Sequence, residues 1–177
     1  MSLQIQGIRD AVSSATAGMA AEDLLLRPAE GAKWSVAEIL EHLMLSYTGT
    51  IKGMERSLVL SQPSVTRQSL RQRILTYLIC CMGYFPEGRQ APKQVVPRGT
   101  PAGEVLPMLY GSLDQLDAAI DAAEKKFGKR KVMDHPLLGA FTPAEWRGFH
   151  AAHARHHMKQ IAAIRSHATP QGPAASR

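Results

Sequence analysis

The chain has 177 residues and a mass of 19.3 kDa, with 45% hydrophobic and 20% charged residues and a formal net charge of +6. That size and composition suit one domain with a substantial core and exclude a disordered chain. No apolar run reaches the ~18–20 residues that a membrane-spanning helix needs, and the first residues, with Arg9 and Asp10 among small polar ones, do not read as a secretory signal.

In chain order, every long periodic stretch reads as helix. The first is expected from Leu3 to Leu26, with Ile5, Ile8, Val12 and Met19 as apolar positions and Pro28 and Gly31 closing it. The second is expected from Ser35 to Leu60. There Val36, Ile39, Leu40, Leu43, Tyr47, Ile51, Met54 and Leu58 recur at spacings of three and four, the mark of one buried face. Ser35 with Glu38 three positions on forms a capping box. A shorter helix is expected from Val65 to Met82. Gly83 to Gly103, rich in Pro and Gly, reads as a long crossover without regular structure, the kind of segment that often lines a functional site.

The next helix is expected from Gly103 to Phe127, closed by Gly128, with basic residues at its C-terminal end. Asp134 to Phe141 reads as a loop, and no stretch alternates as a strand should. Thr142, Pro143 and Glu145 signal the start of a last helix reaching Ser166. The expected fold is therefore all-α: a four-helix bundle with a long crossover connection between its second and third long helices. One domain is expected over residues 1–167, with a disordered tail over 168–177.

Histidine carries the chemistry. Six of the seven histidines lie in the last 43 residues. Trp146, Phe149, His153, His157, Ile161 and Ile164 form one apolar stripe on the last helix. His153 and His157, at i and i+4, stand about 40° apart around the axis and about 6 Å apart along it, so both imidazoles can reach one metal ion. His150 and His156 fall to one side. His42 lies on the second helix beside its apolar stripe, in a row that continues through Ser46, Gly49 and Gly53. Those small residues leave room for close packing or for a cavity. Glu38 and Glu41 are within reach of His42 as hydrogen-bond partners for a ligating ring.

The stretch Trp34-Ser35-Val36-Ala37-Glu38-Ile39-Leu40-Glu41-His42-Leu43 resembles the second-helix motif of the DinB-like (YfiT-like) metal-binding four-helix bundles. His135 to Gly139, Thr142 to Trp146 and His153 to Gln160 are similar to that superfamily's last helix and its approach. The resemblance implies a divalent metal held by His42, His153 and His157. Zinc is the first candidate ion and nickel the next, because imidazole suits both. Three neutral ligands leave coordination positions open, as catalytic sites do.

The resemblance further implies a small-molecule substrate, a low-molecular-weight thiol as co-substrate in a thiol-dependent S-transfer, and a homodimer. A metal-dependent hydrolase that activates water is the alternative, with Glu38 or Glu41 as base. A non-enzymatic basic binding protein is the third reading. It rests on the segment Lys52 to Arg98, where eight basic residues face only Glu55 and Glu87. No aromatic residues interleave with those charges as a base-stacking platform would need, so nucleic acid is not the expected partner.

Around the site, Arg89 and Lys93 of the crossover can meet an anionic substrate. Gln160 can bond a neighbouring helix or bound water, and His156 can support a ligand or lie on the surface. Arg155 and Lys159 read as solvated, and Trp34, Trp146 and Tyr47 as core. The two cysteines, Cys80 and Cys81, are adjacent, exclude a disulfide framework and point to the cytoplasm.

Overall fold

The computed structural model describes residues 1–28, 33–63, 65–85 and 90–168. Its helices are α1 (Leu3–Thr16), α2 (Val36–Leu60), α3 (Leu70–Met82), α4 (Ala102–Phe127) and α5 (Pro143–Ala168). Strands β1 (Met133–His135) and β2 (Gly139–Phe141) form a small antiparallel hairpin that pairs Met133 with Phe141 and His135 with Gly139. The bundle is built from α1, α2, α4 and α5. In it α2 packs mainly on α4 and α1 mainly on α5, while α3 lies outside against α5. Ile5 and Ile8 of α1, Leu40, Leu43, Tyr47 and Met54 of α2, Leu109, Leu113, Leu116 and Ile120 of α4, and Ile161 of α5 fill the centre. Each such side chain contributes roughly 1.5–3 kcal/mol by leaving water.

Charged ties fix the helices around this core. Ser2 caps α1 and donates from its main-chain N and its Oγ to Asp117 of α4, at 2.9 and 2.7 Å. Arg147 of α5 is buried and pairs with Asp121 and Glu124 of α4. The capping box at Ser35 and Glu38 is formed, and Thr142 and Glu145 exchange equivalent bonds at the start of α5. Among the described residues no helix is long and apolar enough to cross a membrane.

Four expectations are corrected. The first helix stops at Thr16, not Leu26: the chain leaves helical geometry at Ala17, whose ψ is 128°. Asp23 then accepts from the N–H of Ala20 and builds a separate short turn at Asp23–Leu25. The third helix starts at Leu70, not Val65. Ser69 and Gln72 form a capping box there, and Thr66 is held by the Asp134 carboxylate of β1. The crossover contains a 3-10 turn at Lys93–Val95. The segment read as a loop from Asp134 to Phe141 is most of the hairpin. Its strands are three residues long, too short to show alternation, and its turn depends on Gly139 at φ +75°. The tail expected to be disordered lies outside the described residues, apart from Ala168 at the end of α5.

The row of small residues after His42 serves close packing at Gly53, where an added Cβ would overlap the Sδ of Met133. Gly49 is exposed and has nothing within 4 Å of such an atom. Gly49→Ala should therefore stabilise the protein by about 0.5–1 kcal/mol through helix propensity. Gly53→Ala should fall about 1–2 kcal/mol below it because Met133 must repack. Denaturant melts of the two variants, run side by side, check the order.

Candidate metal centre

Helices α2 and α5 bring three imidazoles together. His42 extends from the second turn of α2, and His153 and His157 from consecutive turns of α5. The Nε2 of His153 lies 3.1 Å from Nε2 of His42 and 3.0 Å from Nε2 of His157. Candidate ligand atoms of the three rings all fall within 4.8 Å of one another. All three residues are buried.

The other ring nitrogens decide what those Nε2 atoms are. His42 Nδ1 lies 2.8 Å from the Val95 carbonyl, which can only accept, so the ring proton sits on Nδ1 and Nε2 presents a lone pair. His157 Nδ1 lies 2.7 Å from Gln160 Oε1, with the same consequence. The Gln160 amide NH2 in turn donates to His156 Nε2 at 3.3 Å, which agrees with its oxygen facing His157. His153 Nδ1 is buried without a partner. A neutral His153 has one proton to offer two facing lone pairs, so the cluster is short of protons.

Extra protons are not available to it. Burial pulls the His42 pKa down, against the Val95 carbonyl, which raises it. Burial and the neighbouring His42 bring His157 to about 3. Burial, with His157 and His42 beside it, holds His153 well below the ordinary histidine range. Neutral imidazoles with converging lone pairs fit a divalent cation. The separations approach the edge of roughly 3.3 Å expected between nitrogens at about 2.0–2.1 Å from a common ion in a tetrahedral site.

Aromatic rings wall the cluster. Trp34 lies 4.9 Å from the His42 ring, and Phe85 and Phe149 stack on His153 at 5.5 and 5.3 Å. Trp34, expected in the core, is half-buried against the cluster, whereas Trp146 and Tyr47 are core residues.

The supporting residues divide differently from the expectation. Glu38 does not reach the centre: its carboxylate accepts from Ser35 N and pairs with Arg27. Glu41 also turns elsewhere, accepting from Gly99 N, Thr100 N and Thr100 Oγ1. Burial works to raise its pKa, and these hydrogen bonds outweigh burial and hold it low. Gln160 bonds within its own helix, to His157 and His156, rather than to a neighbouring one. Lys93 is exposed on the crossover turn, and Arg89 lies outside the described residues. Cys80 is half-buried, with its Sγ 3.9 Å from the Glu145 carbonyl at the start of α5.

One contributor escaped the sequence reading. Val95 acts through its main-chain carbonyl, which leaves no side-chain signature. His150 is fully buried, with Nε2 3.0 Å from Thr50 Oγ1. The sequence reading places it to one side of the stripe, as a supporting or surface residue, and the structure buries it.

A four-helix bundle with histidines converging from its second and last helices has the DinB/YfiT-like fold. The structure is similar to that of YfiT from Bacillus subtilis, at 18% identity and a TM-score of 0.57 over 93% of this chain and 85% of that one. That structure is described as a probable metal-dependent hydrolase with an unusual four-helix bundle topology. The chain belongs to the family described as protein of unknown function (DUF1569), whose model matches residues 1–163. No curated protein matches it.

Buried neutral histidines make stability depend on pH. His150 and His157 titrate near 3 in the folded chain and His135 near 4, against about 6.5 when unfolded. Because the unfolded state binds more protons below about 6.5, the metal-free protein should lose stability as pH falls from there toward 4. Each such histidine should contribute a slope of about 1.4 kcal/mol per pH unit. Urea melts with a chelator present from pH 7.5 to 4.5 check this, and His150→Asn should flatten the slope by one proton.

Proposed function

We propose that this chain is a divalent-metal-dependent enzyme acting on a small molecule, with His42, His153 and His157 as the metal ligands. The convergence of three buried Nε2 atoms, two of them fixed as lone-pair donors by Val95 and Gln160, carries this reading. His42, His153 and His157 would hold a divalent ion, which would lower the pKa of a thiol or water that joined it. The chain's own part is to aim the rings and keep their inner nitrogens unprotonated. Trp34, Phe85 and Phe149 cover ring faces and hold water away from them. Zinc is the first candidate and nickel the second.

Thiol-dependent S-transfer is the first reading of the reaction. The two carboxylates nearest His42 in sequence are both tied into structural hydrogen bonds, so neither serves as a general base. Ionisation on a bound divalent ion would need none, for a thiol as for water, so transfer stands first on the resemblance of the helix motifs alone. Hydrolysis is the second reading, supported by the likeness to YfiT.

Elemental analysis of untagged protein should find about one zinc or nickel ion per chain, and His153→Ala should lose it together with thermal stability. Wild-type protein that neither contains nor takes up these ions refutes the proposal. In the loaded protein, turnover that requires an added thiol selects transfer, and turnover without one selects hydrolysis.

Gln160 supports the centre as a positioning residue. Gln160→Leu should weaken metal affinity about 10–100-fold while leaving the fold intact. Gln160→Glu, which keeps an acceptor toward His157 Nδ1, should restore it. Competition against a chromophoric chelator gives both numbers.

A further inference from the structure

A cleft of about 200 Å3 opens between the C-terminal end of α3 and the outer side of α5. Met82, Gly83, Ala152, Arg155, His156 and Lys159 line it. No acidic residue is among them. Arg155 and Lys159 stand one helical turn apart and are both exposed, and His156 between them is half-buried. Like charges at this spacing destabilise a helix by a few tenths of a kcal/mol unless something neutralises them.

Other arginines of α5 are matched within the protein. Arg147 pairs with Asp121 and Glu124, and Arg165 donates to the carbonyls of Ala15 and Ala17. Among the described residues neither Arg155 nor Lys159 has an ion pair.

The cleft adjoins the histidine cluster. The His156 ring that lines it lies 5.2 Å from the His157 ring, and Gln160 bonds to both. Phe85 stacks on His156 at 5.1 Å and on His153 at 5.5 Å, so one ring touches a residue of the cleft and a residue of the cluster. A concave surface lined by one sign of charge concentrates counter-ions.

We propose that this cleft, lined by Arg155, His156 and Lys159, receives an anionic group, a carboxylate or a phosphate, carried by the molecule that reacts at the three-histidine centre. The proposal rests on the metal-dependent reading for the reaction, but the anion site stands on its own geometry. Arg155 offers a planar fork for two oxygens, and Lys159 adds a mobile point charge. Both residues are exposed, as expected, and the proposal adds a ligand to that position. It also makes a negatively charged substrate the class the protein selects.

Inorganic phosphate and acetate, titrated separately into isotopically labelled, zinc-treated protein, should each shift the Gly83 amide and His156 ring signals saturably if the site takes that class of anion. Binding should weaken about tenfold or more in R155A/K159A, as loss of two charge-assisted contacts implies. The exposed positions should leave the melting temperature near that of wild type. H42A, which removes a proposed metal ligand, should keep the anion-induced shifts, and they should persist in metal-free wild-type protein. Failure of the metal reading thus leaves this test standing.

Three results overturn the proposal. One is the absence of saturable shifts with either anion. Another is binding lost in H42A and kept in R155A/K159A, which would place the anion on the metal. The last is a double variant that melts lower yet binds both anions as wild type does. In that case the two cations would serve only the carbonyl end of α3.

Discussion

Three imidazole edges face one another inside an apolar seam, and burying them there is the constraint on which the rest of the site depends. Desolvation keeps the rings neutral, and neutral rings have too few protons to satisfy the lone pairs turned inward. Each nearby element answers part of that problem. The crossover turn supplies a carbonyl to His42, and the next turn of α5 supplies an amide to His157. Aromatic side chains from three segments close the faces. The inner side of the cluster is left for a cation.

The acidic residues near His42 do not take part because other groups claim them. Glu38 instead completes a helix cap and pairs with Arg27. Glu41 anchors the crossover through Gly99 and Thr100. The charge of Glu41 therefore bears on the centre only indirectly, by holding the segment from which Val95 reaches His42.

Much of this was legible in the sequence where it rested on side-chain periodicity. The apolar spacing in α2 and α5 gave the right helices and the right faces, and the wheel put His153 and His157 in the seam where the structure has them. Caps at Ser35 and Thr142 were readable because they use side chains at fixed offsets. What stayed hidden depends on the main chain or on distant partners. The end of α1 is set by Ala17 leaving helical geometry, and the start of α3 by a contact from Thr66 to Asp134 in a later strand. The hairpin is too short to have a period. Glu38 was within reach of His42 on the wheel, but its bonds to Ser35 and Arg27 claim it first, and a wheel does not rank competing partners.

The bond between His42 and Val95 has a consequence for how such a centre can diverge. A carbonyl has the same chemistry whatever side chain follows it, so residue identities along the crossover can drift while the support for His42 persists. An inserted or deleted residue between Thr100, anchored on Glu41, and Val95 would instead carry the carbonyl out of reach. Spacing, rather than identity, is the quantity this segment must preserve. Aligning relatives by matching residues would then overlook it, and counting the residues between the two anchors would not.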